Sequence, residues 1–179
     1  MNCKRYKHNA FTLIEMLVAI GILVAMSTMF LSNYRGAGQR SALKIEAHKF
    51  AGDVRKAQNM AMGAIEYNGS IPAGGWGVYI PDTAADNTYI IFADLNGNED
   101  YDGAPADAVY QTVILENNIT FSGGINSSAV FLPPDPKIFL NGNDGSGGSA
   151  APNVTFTLSG LTGYRDVYLN DLGLIDVED

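Results

Sequence analysis

Glu15 is an ionisable side chain set inside an apolar run. From Phe11 to Leu31 the apolar residues are interrupted only by Thr12, Glu15, Gly21, Ser27 and Thr28. A carboxylate within such a segment costs roughly 2.5 to 3.5 kcal/mol on membrane-insertion scales, so it asks for a partner. A second constellation lies in the C-terminal part, where Asp94, Asn96, Asn98, Asp100 and Asp102 alternate along one stretch. Oxygen ligands at every second residue suit a hard cation such as calcium, and an EF-hand loop opens in this way. The stretch departs from that loop at Glu99, where the sharp-turn glycine belongs, and at Pro105, where the bidentate glutamate belongs. Read otherwise, the same residues form a solvated acidic hairpin turn around Asn96-Gly97.

Nothing else in the chain assembles into catalytic machinery. The histidines are His8, near the N-terminus, and His48, which reads as a surface or subunit-contact residue. Beyond residue 63 no histidine is available to serve a serine nucleophile, and there is no phosphate loop or dinucleotide fingerprint. Trp76 reads as packing between helix and sheet. The expectation is a protein that is not an enzyme.

The elements that must position these residues follow from periodicity. The run Phe11–Leu31 is about 21 residues, about 31 Å as a helix, enough for a bilayer core of about 30 Å. From Leu43 onward Leu43, Ala47, Phe50, Val54, Ala57 and Ala61 recur at three- and four-residue steps, which predicts an amphipathic continuation to about Met62. Gly36 and Gly38 interrupt the spine and are read as a bend, and Gly63 with Pro72 beyond ends the helix. Past Trp76 the signals turn to strands: Gly77–Ile80, Thr88–Phe92, Val109–Leu115, Ile119–Phe121, Ala129–Leu132, Ile138–Leu140, Val154–Leu158, Asp166–Leu169 and Leu174–Val177. Asn141–Ala151, rich in glycine, reads as a flexible loop. The fold class is therefore α+β: one long N-terminal helix and an antiparallel β head packed on its second half.

The order of parts at the N-terminus differs from a secretory signal. There an apolar region of about 7 to 15 residues precedes a small-residue cleavage site. Here the basic leader with Lys4, Arg5 and Lys7 is followed by the small residue Ala10 and only then by the long apolar run. The stretch Ala10-Phe11-Thr12-Leu13-Ile14-Glu15-Met16-Leu17-Val18-Ala19-Ile20 resembles the start of a type IV prepilin or pseudopilin. The family usually has Gly before the cut, where this chain has Ala10. The resemblance implies cleavage between Ala10 and Phe11 by a prepilin peptidase and N-methylation of Phe11. It also implies assembly with other pilin or pseudopilin subunits on an inner-membrane platform, with the subunit held in membrane lipid beforehand. In such a filament Glu15 of one subunit pairs with the Phe11 amine of a neighbour and sets the axial register, because a buried charge is tolerated when paired. The division implied is 1–10 leader, 11–31 transmembrane and assembly helix, 32–63 amphipathic spine and 64–179 head.

The head further resembles the GspH/FimT type of minor pseudopilin. That similarity rests on Asp53–Ala61, Gly75-Trp76-Gly77-Val78-Tyr79, Ile91–Asn98 and Val167–Ile175. It implies a minor subunit of a type IV pilus or type II secretion pseudopilus. The alternative is a membrane-anchored, calcium-dependent binding module that never polymerises.

Charge is segregated along the chain. The whole sequence carries 11 basic and 19 acidic residues, a net of −8; loss of the three basic leader residues leaves 8 against 19, or −11. Beyond Lys56 only Lys137 and Arg165 oppose 16 acids, a net of −14. Such a head repels nucleic acid, whose binding rests on Lys and Arg contacts to phosphate, and this stands against a DNA-uptake role. The basic leader predicts a cytoplasmic N-terminus with the head outside. Cys3 is the only cysteine, so a chain cut after Ala10 has no disulfide or thiolate ligand.

Overall fold

The computed structural model describes residues 11–83, 86–133, 138–140, 154–170 and 173–178, with the side chains of 32–35 excepted. The leader with Ala10, and the Asn141–Ala151 loop, lie outside the described residues. Helix α1 is Leu13–Met62, and Gly36 and Gly38 stay within it. The chain divides into two compact units, residues 1–38 and 39–179.

In the first unit the helix carries its apolar side chains unburied, with Leu13 84% and Phe30 70% exposed. It is long and apolar enough to cross a membrane, and it holds the one such span among the described residues. Its hydroxyls at Ser27 and Thr28 are spent internally. Ser27 Oγ donates to the Leu23 carbonyl at 2.7 Å, and Thr28 Oγ1 to the Ala25 carbonyl at 2.8 Å. Polar groups satisfied within the helix present no orphan donor to an apolar surrounding.

Among the described residues of the second unit nine strands follow the helix. They are β1 (Gly75–Ile80), β2 (Thr88–Asp94), β3 (Asp107–Ile114), β4 (Thr120–Gly123), β5 (Ser127–Phe131), β6 (Ile138–Leu140), β7 (Val154–Gly160), β8 (Gly163–Leu169) and β9 (Ile175–Glu178). The architecture is α+β, as expected, and each of the nine segments read from sequence overlaps a strand, with Leu115, Ile119, Leu132 and Leu174 falling just outside. They form two antiparallel sheets, ordered β3-β2-β1-β5-β6 and β4-β7-β8-β9. The core is built by Leu43, Ala47, Phe50, Val54, Ala57 and Ala61 of the helix against Trp76, Val78, Tyr89, Ile91, Phe121, Phe131, Phe156 and Leu158. Phe50 sits at its centre. Its ring meets Tyr89, Phe121 and Phe156 edge-on with centroids 5.0, 5.3 and 5.3 Å away, so one helical residue touches both sheets. Edge-to-face pairs of this kind add about 0.5 to 1.5 kcal/mol each beyond area burial.

Polar helix residues beside the apolar face tie down the flanks. Arg55 Nη2 donates to the Ile175 carbonyl at 2.6 Å and Gln58 Nε2 to the Gly173 carbonyl at 2.9 Å. Lys56 Nζ donates to Gln111 Oε1 at 3.1 Å and lies 4.9 Å from the Tyr110 ring centre. Tyr110 reaches that position because β3 slips register between Ile91 and Phe92 of its partner, leaving Tyr110 as the extra residue of a bulge. Trp76 is buried and donates its indole N–H to the Ile65 carbonyl at 3.0 Å, which is the packing role expected of it.

Candidate functional site

Two places answer to the chemistry-bearing residues. The first is the start of the helix. Thr12 Oγ1 accepts the Glu15 N–H at 3.3 Å, and the Thr12 carbonyl accepts the Met16 N–H at 3.2 Å. Thr12 is therefore the N-cap, and Thr12-Leu13-Ile14-Glu15 has the spacing of a capping box. The cap fixes where the helix begins and leaves Glu15 in its first turn, where the macrodipole favours a carboxylate by about 0.3 to 1 kcal/mol. Glu15 and Phe11 are both exposed. No carboxylate partner for an amine, and no amine partner for Glu15, is supplied by the rest of the described chain.

The second place is the loop from β2 to β3. Its five candidate ligands do different jobs. Asp94, fully buried, accepts the Gly97 N–H on Oδ1 at 2.7 Å and the Glu99 N–H on Oδ2 at 2.8 Å. Asn96 and Asn98 donate their amides to the same Asp102 Oδ2, at 3.0 and 2.6 Å. Their own Oδ1 atoms accept the N–H of Asn98 at 3.1 Å and of Asp100 at 3.2 Å, two Asx turns in succession. Asp100 Oδ1 accepts the Tyr101 N–H at 2.8 Å and the Ser128 hydroxyl at 2.5 Å. Asn96, Asn98 and Asp102 are thus brought together, while Asp94 serves the loop's own amides and Asp100 is tied to β5. Among the described residues no three His, Cys, Asp or Glu side chains are grouped to hold a metal ion.

Two residues of this loop were not singled out from sequence. Asp107 is buried and stands opposite Asp94 in the β2–β3 register. It accepts the Leu95 N–H at 3.3 Å and the Asp102 N–H at 2.7 Å. Burial raises its pKa, the two backbone donors pull it down, and the neighbouring Asp94 and Asp102 charges push it up again. The sequence signal was there, an aspartate two residues before the strand segment Val109–Leu115, but only register makes it Asp94's partner. Tyr101 anchors the loop tip, its ring 4.5 Å from that of Tyr79 and 4.8 Å from that of Phe92. Burial raises the pKa of both Tyr101 and Tyr79. Gly97 and Glu99 both take left-handed conformations, φ 76° and 60°, so Glu99 occupies a turn position that glycine would fill without strain. Gly74 leaves the room the carboxylate needs, since a Cβ there would fall 1.7 Å from Asp94 Oδ2.

Compared with known proteins, residues 5–31 match the prokaryotic N-terminal methylation motif. The match spans the basic residues from Arg5, the Ala10-Phe11 junction, Glu15 and the apolar run, and it supports the type IV pilin-like class. No curated protein and no solved structure matches the chain.

Proposed function

We propose that this chain is a structural, non-enzymatic subunit of a type IV pilus or type II secretion pseudopilus, of the minor GspH/FimT-like kind. The observation that carries the reading is the capped helix start: an exposed carboxylate at Glu15 on a helix whose apolar residues from Leu13 to Leu31 are exposed, within the methylation motif. A helix apolar on every side needs lipid or other helices around it. Lipid serves the subunit before assembly, and the helices of neighbouring subunits serve it afterwards. Trimming between Ala10 and Phe11 creates an amine on Phe11, and N-methylation leaves it cationic. Glu15 of one subunit pairs with the Phe11 amine of the next, and the large penalty for an unpaired charge in an apolar bundle selects the axial register in which the pair forms. The head faces outward.

The test is the intact mass and N-terminal sequence of the protein recovered from membranes of cells carrying a prepilin peptidase. It is combined with shearing and pelleting of surface filaments from cells expressing wild type or Glu15→Ala. The expected result is a methylated chain starting at Phe11 that enters filaments only when Glu15 is present. A chain still starting at Met1, or normal incorporation of Glu15→Ala, overturns the proposal and favours the non-polymerising anchored module.

A further inference from the structure

A cavity of about 250 Å³ lies between the helix and the β7–β8 hairpin, lined by Arg40, Leu43, Thr162, Gly163, Tyr164 and Arg165. Two cations from distant parts of the sequence therefore face one space in a chain whose charge beyond Lys56 is strongly negative. Arg165 is paired in register with Leu158 and lies two residues before the buried Val167, so the strand's two-residue period turns it towards the inner side of its sheet. Its Nε is buried and has no hydrogen-bond partner, and neither has the buried Oγ1 of Thr162. The hydrogen bond its guanidinium does make is a long one, from Nη1 to the Tyr164 carbonyl at 3.5 Å. Among the described residues, neither Arg40 nor Arg165 has a carboxylate within 4.0 Å.

Buried donors left unpaired cost about 1 to 3 kcal/mol each, more when charged, so two of them lining one cavity mark a place built for an acceptor. A guanidinium presents its donors as a fork that matches carboxylate and phosphate oxygens. We propose that this cavity is an oxyanion site: Arg165 and the Thr162 hydroxyl hold the ligand's oxygens, Arg40 supplies the second positive charge, and Leu43 and Tyr164 wall it. The ligand is a small oxyanion, a phosphate or a carboxylate. It is taken up either as a free ion or as an acidic side chain of a second copy of this chain. The adjoining cavity, about 380 Å³, is lined by Asp166 and Glu178 beside Arg165, and these carboxylates direct an anion to the Arg40 side. The site stands independently of filament assembly.

The test uses the full chain in a non-ionic detergent, with the arginine Nε–Hε resonances followed by ¹⁵N–¹H correlation spectra. Inorganic phosphate is titrated against chloride at equal ionic strength, and in a parallel arm a synthetic peptide of residues 94–107 is added. The expected result is a saturable shift of the Arg165 Nε–Hε signal with at least one of the two probes. The apparent Kd is expected to rise at least fivefold in Arg40→Gln and in Thr162→Val, two variants that leave Arg165 in place. Saturation by phosphate alone identifies a free-ion site, and saturation by the peptide identifies the acidic loop of another copy. Shifts no larger than with chloride for both probes, or saturation unchanged in both variants, overturn the proposal.

Discussion

Substituting Asp94 by Asn separates two accounts of the β2–β3 loop. In the structure the Asp94 carboxylate is fully buried and accepts two backbone N–H groups, at 2.7 and 2.8 Å. Hydrogen bonds to a charged acceptor contribute about 1.5 to 3 kcal/mol each. Asn keeps one carbonyl oxygen but turns an amide donor towards the other N–H, so one bond is lost and one buried donor is orphaned. The expected loss is about 2 to 4 kcal/mol, or about 6 to 12 °C in Tm for a head of this size. Asp102 provides the internal control. It is exposed and holds two side-chain amides, so Asp102→Asn is expected to cost below about 1 kcal/mol. Trp76 is the single tryptophan and is buried in the core, so its fluorescence on heating in mild detergent reports unfolding of the head. The melts are run with EDTA and with millimolar calcium. If Asp94 acts on the loop's own amides, the deficit of Asp94→Asn is the same in both. An Asp94→Asn deficit below about 0.5 kcal/mol, or a control equally destabilised, refutes the cradle. A deficit that appears only when calcium is present refutes it too and makes Asp94 a metal ligand.

Three further outcomes follow from the same geometry. Gly74→Ala, whose Cβ would overlap the Asp94 carboxylate at 1.7 Å, is expected to cost at least about 3 kcal/mol alone. In an Asp94→Ala background it should cost at least about 2 kcal/mol less, and strict additivity in this double-mutant cycle would contradict the close approach. Phe50→Ala removes the ring that touches Tyr89, Phe121 and Phe156 and should cost about 3 to 5 kcal/mol by thermal melting; a loss below 1 kcal/mol would mean the helix is not the shared core of the two sheets. Asp107, its pKa raised chiefly by burial, holds a proton more tightly folded than unfolded. Its contribution is complete below its ordinary value of 3.8 and is lost as pH rises through the raised folded value, so Tm of wild type minus Tm of Asp107→Asn should fall as pH is raised from below 3.8, and a rise would reverse the sign of the argument.

The parts of this protein that were legible in its sequence are those fixed by neighbours in the chain. The apolar run with Glu15, the helical spacing of Leu43 to Ala61 and the nine segments rich in branched and aromatic residues are local signals, and each specifies an element without knowledge of the rest. The cap at Thr12 was not read from the sequence, although its bond spans only three residues.

What needed the tertiary structure is what depends on register and on which strand lies beside which. Strand propensity cannot say that β4 pairs with β7 rather than with its sequence neighbours, or that a bulge opposite Ile91 and Phe92 turns Tyr110 towards Lys56. The acidic loop shows the limit most clearly. Alternating oxygens were visible, but their employment was not, because the donors that claim Asp94 and Asp107 are backbone N–H groups positioned by left-handed residues and by the β2–β3 pairing. Arg40, Thr162 and Arg165 lie more than a hundred residues apart at the extremes, and only the packing of helix against hairpin brings them to one cavity. Local spacing sets the elements; long-range pairing, which one face's burial makes unique, decides which side chains meet.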